Sequence, residues 1–165
     1  MGVLRRARFW PLLLVAIVST LAPSPAQSVT RSIVDVVPQG AIWGKPSSCA
    51  IVAASPARVS VKYGQPFSYD IYVQNVSSKE LDVPATPLVQ MAAFDESGTY
   101  VPSTTKFVHY LGMDRDTQFQ PRQILHESFS VLKGYRFPSV GNYSLVFTFP
   151  CGKESATVTV RADIF

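Results

Sequence analysis

Two short motifs carry side chains that could transfer protons or bind a metal ion. His126 and Glu127 are adjacent in the sequence, and a histidine beside a carboxylate is a common proton-transfer pair. Asp114 and Asp116 follow His109 closely and flank an arginine. Their carboxylate oxygens are ligands of the type that Ca²⁺ prefers.

Neither motif is sufficient for an active site or a metal site. Adjacent strand residues point to opposite faces, so we interpret His126 and Glu127 as surface polar residues on an edge strand. The acidic pair lacks a third nearby carboxylate and a glycine-marked ligand loop, which favours a solvated loop. Abundant serine leaves a Ser-His-Asp triad open, but no Gly-x-Ser-x-Gly elbow or glycine-rich phosphate loop occurs. We expect no catalytic residue, no metal and no cofactor.

The first 26 residues have the pattern of an export signal. An arginine-rich start precedes the apolar run Pro11–Ala22, whose 12 residues fall short of the ~20 that a transmembrane helix needs. Small residues then end at Ala26, which predicts cleavage before Gln27. We therefore predict a protein exported to the periplasm or the exterior, with no membrane span after cleavage. An uncleaved anchor is the alternative.

The charge of the mature chain argues against nucleic-acid binding. The formal net charge of the 165 residues is +4, but Arg5, Arg6 and Arg8 lie in the signal segment. Without them the Lys and Arg residues fall from 15 to 12, against 11 Asp and Glu residues. A net charge of +1 does not provide the concentrated basic surface that nucleic acids require.

Cys49 and Cys151 are the only cysteines. An even pair in an exported protein predicts a disulfide, here closing a loop of about 100 residues. Two separate buried thiols and a metal site are the alternatives. Neither His109 nor His126 lies at a ligand-like spacing from a cysteine.

Short apolar segments separated by turn residues predict an all-β domain over residues 49–165. Residues 27–48 form an arm before it, with room for one edge strand. Seven to eight strands at this spacing predict an antiparallel β-sandwich, with a closed barrel as the alternative. The candidate strands are Cys49–Ala54, Arg58–Tyr63, Phe67–Asn75, Leu88–Phe94, Lys106–Leu111, Ile124–Val131, Tyr143–Phe149 and Ala156–Val160.

Two of these segments resemble strands of bacterial immunoglobulin-like domains. Residues 67–81 are similar to the second strand, which alternates and ends in Asn and a polar turn. Residues 141–147 are similar to the sixth strand, whose Gly-x-Tyr-x-Leu start carries the tyrosine of a tyrosine corner. The resemblance covers residues 50–162 and implies an immunoglobulin-like sandwich with Tyr143 in a structural role. Residues 120–149 are also similar to the end of secreted proteinase-inhibitor-like and cell-surface immunoglobulin-like modules.

The cysteines depart from the antibody pattern, in which a disulfide joins the second and sixth strands around a Trp. No cysteine lies in Phe67–Asn75, and Trp43 precedes both cysteines. In immunoglobulin-like topology the first strand begins, and the sixth ends, at the same pole. The resemblance therefore implies that Cys49 and Cys151 meet at that pole.

Asn75 and Asn142 each begin an Asn-x-Ser glycosylation motif. In a eukaryotic host Asn75 is the better predicted acceptor because it lies at a turn, whereas Asn142 adjoins a core strand. Our interpretation favours a bacterial host, in which both are ordinary turn residues.

Four tyrosines do not all fit the inward faces of the predicted strands. They are Tyr72, Tyr100, Tyr110 and Tyr135. Tyrosine is enriched in binding patches because its ring offers a large contact area at small entropic cost. Packing of these rings along edge strands is the alternative.

These observations favour a non-enzymatic exported immunoglobulin-like module that binds another protein or a cell-surface or extracellular polymer. The loops at residues 78–87 and 98–105 are the candidate contact regions. A proteinase inhibitor is the first alternative, with the turn at residues 151–153 offering a basic residue beside the disulfide. A small secreted hydrolase is the second.

Overall fold

A computed structural model of the chain describes residues 31–83, 88–103, 117–131 and 135–165. Within these residues the protein is all-β and contains no helix. The strands are β1 (Arg31–Val34), β2 (Ile42–Trp43), β3 (Ala50–Ser55), β4 (Arg58–Val61), β5 (Ser68–Asn75), β6 (Leu81–Val83), β7 (Gln90–Phe94), β8 (Tyr100–Val101), β9 (Thr117–Phe119), β10 (Ile124–Ser130), β11 (Gly141–Cys151) and β12 (Glu154–Ile164). No helix in this described part is long and apolar enough to cross a membrane.

Two five-stranded sheets form the sandwich. The first sheet has the strand order β1-β10-β5-β3-β2, and the second has the order β4-β12-β11-β7-β8. All pairs within them are antiparallel except β4 and β12, which are parallel. Strands β6 and β9 form a separate two-stranded ribbon. The predicted antiparallel immunoglobulin-like β-sandwich is confirmed, although its two sheets contain ten described strands where seven to eight were expected.

The core lies between the two sheets and follows from the period-two pattern of their central strands. Every second residue of β5 and β11 points inward and is buried; these residues are Tyr69, Ile71, Val73, Tyr143, Leu145, Phe147 and Phe149. The rings of Tyr69 and Phe147 meet edge to face across the sheets, with centroids 5.8 Å apart. Burying one large apolar side chain contributes roughly 1.5–3 kcal/mol, so this alternation is a main source of the stability of the sandwich.

Strand β11 spans the sandwich from one pole to the other and pairs with β12 along its whole length. The register places Leu145 opposite Val160 and Phe147 opposite Val158, so the inward residues of both strands face the same core. A two-residue turn joins the strands, and Gly152 in it has φ +62°. Two-residue hairpin turns require such positive φ values, which glycine adopts without strain.

The N-terminal arm is part of the sandwich. Strands β1 and β2 lie at opposite edges of the first sheet, so residues 35–41, which we call the strap, cross the outer face of that sheet. Val34, Val37 and Ala41 pack there against Ala53, Tyr72 and Ile124. The sequence suggested one edge strand in this arm, whereas the structure contains two. Tyr72, which did not fit an inward face, is buried because the strap covers it.

After β2 the chain passes from the first sheet to the second. The Lys45 amide donates a 2.7 Å hydrogen bond to the Thr157 carbonyl, and the Thr157 amide returns one of 3.0 Å. A Cβ atom on Gly44 would lie 1.9 Å from the Thr157 oxygen. Only glycine therefore allows the two backbones to approach this closely.

Candidate functional site

A disulfide joins the two sheets at one end of the sandwich, which we call the disulfide pole. Cys49 immediately precedes β3, Cys151 ends β11, and their Cα atoms are 6.0 Å apart. The predicted bridge between these cysteines is therefore present. The Ser48 amide donates a 3.0 Å hydrogen bond to the Glu154 carboxylate beside it, and this bond lowers the pKa of Glu154. These contacts hold the two sheets together at this pole, which indicates a structural role for the disulfide.

Tyr143 lies near the opposite pole and is 3% exposed. Its hydroxyl donates a 2.9 Å hydrogen bond to the main-chain oxygen of Ser139, four residues upstream. Its ring packs against Phe137 with centroids 4.5 Å apart. This is the contact that a tyrosine corner makes. The structural role assigned to Tyr143 remains a prediction that mutagenesis tests.

The structure reverses the ranking of the two glycosylation motifs. Asn75 is fully buried, and its amide nitrogen donates to the main-chain oxygens of Lys79 and Phe119 at 2.9 and 2.8 Å. The expectation that Asn75 is the better acceptor is wrong, because a buried amide with two acceptors has no room for a glycan. Asn142 is exposed, and its side chain donates to the Glu96 carboxylate. Glycosylation in a eukaryotic host would thus fall on Asn142.

The interpretation of His126 and Glu127 as residues of an edge strand is wrong. Strand β10 lies between β1 and β5. Glu127 is 2% exposed and accepts a 2.8 Å hydrogen bond from the Leu88 amide. The two side chains do point to opposite faces: Glu127 is buried, whereas His126 is half-buried and stacks on Tyr72 with centroids 4.9 Å apart. They do not form a proton-transfer pair.

His126 instead lies in a row of three polar side chains that the sequence did not reveal. Its Nδ1 atom is 3.3 Å from the Ser32 hydroxyl, and its Nε2 atom is 3.0 Å from an Asp70 carboxylate oxygen. These are the residue types of a catalytic triad. However, neither of the two clefts described below is lined by any of them. The row connects β1, β10 and β5, and so holds the N-terminal strand on the sheet.

The calcium candidates Asp114 and Asp116 lie outside the described residues, together with His109, Tyr110 and the signal segment. The described residues contain no group of three or more His, Cys, Asp or Glu that could hold a metal ion.

The remaining tyrosine candidates differ in exposure. Tyr135 is 1% exposed, and its hydroxyl donates a 2.7 Å hydrogen bond to the Met91 carbonyl. Burial raises the pKa of Tyr135 to about 12. Tyr100 is 53% exposed and packs edge to face on Phe94. Tyr135 is therefore a core residue, whereas the Tyr100 ring is exposed and its hydroxyl hydrogen-bonds the Tyr135 side chain.

Both loops singled out in the sequence contain a short strand. Residues 78–87 contain β6, which pairs with β9, and residues 98–105 contain β8, which pairs with β7; residues 84–87 and 104–105 lie outside the described residues. The candidate inhibitory turn consists of Gly152 and Lys153 between paired strands. A two-residue hairpin turn does not protrude as an inhibitory loop must.

A cleft of about 310 Å³ opens at the pole opposite the disulfide. We call it the polar cleft, after its position at a pole of the sandwich. It is assembled from the segment between β4 and β5, the segment before β11 and the end of β12. Its lining residues are Lys62, Tyr63, Gly64, Gln65, Phe67, Arg136, Phe137 and Ile164. Sequence reasoning missed this site because residues from three separate segments form it.

The polar cleft carries positive charge without side-chain carboxylates. Lys62 and Arg136 are exposed, and neither forms an ion pair with another described residue. No Asp or Glu is among the lining residues. Tyr63 is 53% exposed, and its hydroxyl donates a 3.0 Å hydrogen bond to the Phe137 carbonyl. The arrangement places two cations beside an aromatic ring whose position is fixed.

A second cleft, of about 290 Å³, lies near Tyr143 and contains both signs of charge. Arg58 binds Asp163 through Nε, and through Nη2 at 2.9 Å. The hydrogen bond from Arg58 lowers the pKa of Asp163. Because two arginines and three carboxylates line this cleft, it does not present charge of one sign and is a weaker candidate for a charged ligand.

Comparison with known proteins identifies similar folds and no family. No family model and no curated protein matches the sequence. One similar structure is AggA, the major subunit of aggregative adherence fimbriae type I from Escherichia coli. It shows 11% identity and a TM-score of 0.40, over 73% of this chain and 97% of AggA. Another is a PapD-like domain of human CEP192, with 15% identity and a TM-score of 0.34, over 85% of this chain and 96% of that domain. Neither likeness adds to what the strand order shows.

Proposed function

We propose that this chain is an exported, non-enzymatic immunoglobulin-like module that binds a protein or a cell-surface polymer through the polar cleft. One observation carries the proposal. Lys62 and Arg136 share a cleft with the exposed ring of Tyr63, and no side-chain carboxylate of the lining balances their charge. Exposed cations that lack partners in the protein are available to a ligand with negative charge.

The cleft has the rigidity that binding requires. The rings of Phe67 and Phe137 stack with centroids 6.1 Å apart, and the Tyr63 hydroxyl bonds the Phe137 carbonyl. Because these aromatic residues are already ordered, the entropic cost of binding falls mainly on the exposed Lys62 and Arg136 side chains. The volume of about 310 Å³ is at the lower end of the ~300–1,000 Å³ range for ligand sites, so the cleft accepts a small group of a larger partner.

Export is supported by the signal pattern and by the disulfide. The bridge spans 102 residues of sequence, and disulfides persist in oxidising compartments outside the cytosol. The measurement is the intact mass of protein isolated from the culture, which should correspond to a chain beginning at or near Gln27. A mass that retains the apolar run Pro11–Ala22 would contradict this part of the proposal.

The row of Ser32, His126 and Asp70 favours a hydrolase as the second candidate function. Against it, Ser32 lies on an edge strand outside both clefts. Incubation with generic ester and peptide substrates tests the point directly. Turnover by wild type that disappears in Ser32→Ala would establish a hydrolase. Rates equal to the protein-free background would exclude it.

The binding proposal is tested by capture from the surface extract of the host with immobilised mature protein, residues 27–165. We expect wild type to retain a component that Lys62→Ala/Arg136→Ala does not. The matched control is Lys153→Ala, which removes an exposed cation at the disulfide pole. Equal capture by wild type and the double variant would reject the polar cleft as the binding site.

A further inference from the structure

We infer that the polar cleft binds a carboxylated sugar unit of an acidic polysaccharide. The inference rests on the proposed function and names its ligand class. Three features of the cleft support it: its charge, the hydrogen-bonding state of its backbone, and its size.

The charge of the cleft selects an anion. Lys62 offers three ammonium donors and Arg136 offers a planar fork that fits a carboxylate. No lining residue is acidic, so a carboxylate would meet no side-chain repulsion there. Because both cations are exposed, their attraction to the ligand is screened by salt. Binding should therefore weaken as ionic strength rises.

The backbone around the cleft argues against a peptide that adds as a strand. Peptides of that kind bind mainly through main-chain hydrogen bonds. At the rim the Tyr63 amide already donates to the Phe165 carbonyl at 2.7 Å, and the Gln65 amide donates to the Lys62 carbonyl at 3.0 Å. The Phe165 amide in turn donates to the Val61 carbonyl at 3.1 Å. These three rim amides are therefore not available to a peptide strand.

The side chains match the groups of a sugar acid. The exposed ring of Tyr63 offers an apolar face for the C–H face of a sugar ring. The side-chain amide of Gln65 can both donate hydrogen bonds to sugar hydroxyl groups and accept them. Lys62 and Arg136 bind the carboxylate. A volume of about 310 Å³ suits one or two sugar rings better than a long ligand, so a repeating polymer would be held by one unit at a time.

The experiment is a titration of the mature protein with three polymers. Polygalacturonate carries a carboxylate on each sugar, dextran is a neutral polysaccharide, and polyglutamate is an acidic peptide. We expect saturable binding of polygalacturonate, and binding at least tenfold weaker for dextran and for polyglutamate. We expect Lys62→Ala/Arg136→Ala to weaken polygalacturonate binding roughly tenfold or more, as lost charge-assisted contacts do. Tyr63→Leu should also weaken it, whereas Lys153→Ala should not. Unchanged thermal midpoints of all variants show that they remain folded.

The outcomes separate this inference from the proposed function. Polyglutamate binding as strong as polygalacturonate binding would overturn the sugar assignment, as would equal binding of dextran. If none of the three polymers binds, but a host component is captured in a way that depends on Lys62 and Arg136, the ligand class is wrong and the proposed function still holds. Failure of both experiments would overturn both.

Discussion

The side-chain amide of Asn75 donates a 2.8 Å hydrogen bond to the main-chain oxygen of Phe119, 44 residues further along the chain. Asn75 ends β5 and Phe119 ends β9, so one buried side chain links the first sheet to the β6–β9 ribbon. The same amide donates to the Lys79 carbonyl, and its oxygen accepts from the Ser77 amide at 2.9 Å. Every hydrogen-bonding group of the Asn75 side chain is thus used inside the protein.

We predict that Asn75→Ala destabilises the fold by about 1–3 kcal/mol, because the buried Phe119 carbonyl loses the Asn75 donor. Urea denaturation measures the difference. Asn142→Ala is the matched control, since Asn142 is exposed, and it should stay within about 0.5 kcal/mol of wild type. Equal losses for both variants would show that the Asn75 contacts do not contribute to stability.

Loss of the disulfide should have an effect of similar size. We predict that Cys151→Ser destabilises the mature protein by about 2–5 kcal/mol, because the 102-residue loop is no longer closed in the unfolded chain. Wild type in the presence of a reductant should shift to nearly the same urea midpoint. Titration of two free thiols in the folded, non-reduced protein would refute the bridge.

Two variants of Tyr143 distinguish the contribution of its hydrogen bond to stability from that of its ring packing. Tyr143→Phe keeps the ring and removes only the bond to Ser139, which should cost about 1 kcal/mol. Tyr143→Ala also leaves a cavity beside Phe137 and should cost about 3–5 kcal/mol. The exposed Val36 provides the control, and Val36→Ala should stay within about 0.5 kcal/mol of wild type. Identical unfolding midpoints for wild type and both Tyr143 variants would mean that this tyrosine does not fix the sixth strand.

The lowered pKa values of Asp163 and Asp95 predict how the stability of the fold depends on pH. The Arg58 hydrogen bond lowers the pKa of Asp163 from its ordinary value of 3.8, and the Ser97 hydroxyl does the same for Asp95. A group whose pKa is lower in the folded state stabilises the fold above its unfolded-state pKa. That contribution is lost as the pH falls through the folded-state value.

We therefore expect the thermal midpoint to fall as the pH drops below about 4. Asp163→Asn should show a shallower decline than wild type, because the proton-sensitive partner of Arg58 is gone. Thermal scans at a series of pH values measure both curves. Parallel curves for wild type and Asp163→Asn would rule out the Arg58–Asp163 pair as a source of acid sensitivity.

The strands that were predicted best from sequence are those whose two faces differ. The alternation in Phe67–Asn75 and Tyr143–Phe149 located β5 and β11, and the polar turns on either side set their ends to within a few residues. Strands β2 and β8 have two residues each, too few to show a period. Their pairing depends on neighbours that are distant in the sequence.

Side chains buried by a distant segment could not be predicted from local pattern. Tyr72 lies on the outward side of β5, where the strap and the His126 ring cover it. Glu127 is a charged residue type that is rarely buried without a partner, and its partner, the Leu88 amide, is 39 residues away. The polar cleft was missed for the same reason, because Lys62 and Arg136 are brought together only by the complete fold.

The most direct test of the account is to map where a galacturonate oligosaccharide binds. The measurement is the change in backbone amide chemical shifts of isotope-labelled mature protein during titration. We predict saturable shifts concentrated at Lys62, Tyr63 and Gln65 and at Arg136 and Phe137, with none at the disulfide pole around Cys49. Shifts concentrated at the disulfide pole or on the strap, or no saturable shifts at all, would contradict binding of a carboxylated sugar in the polar cleft.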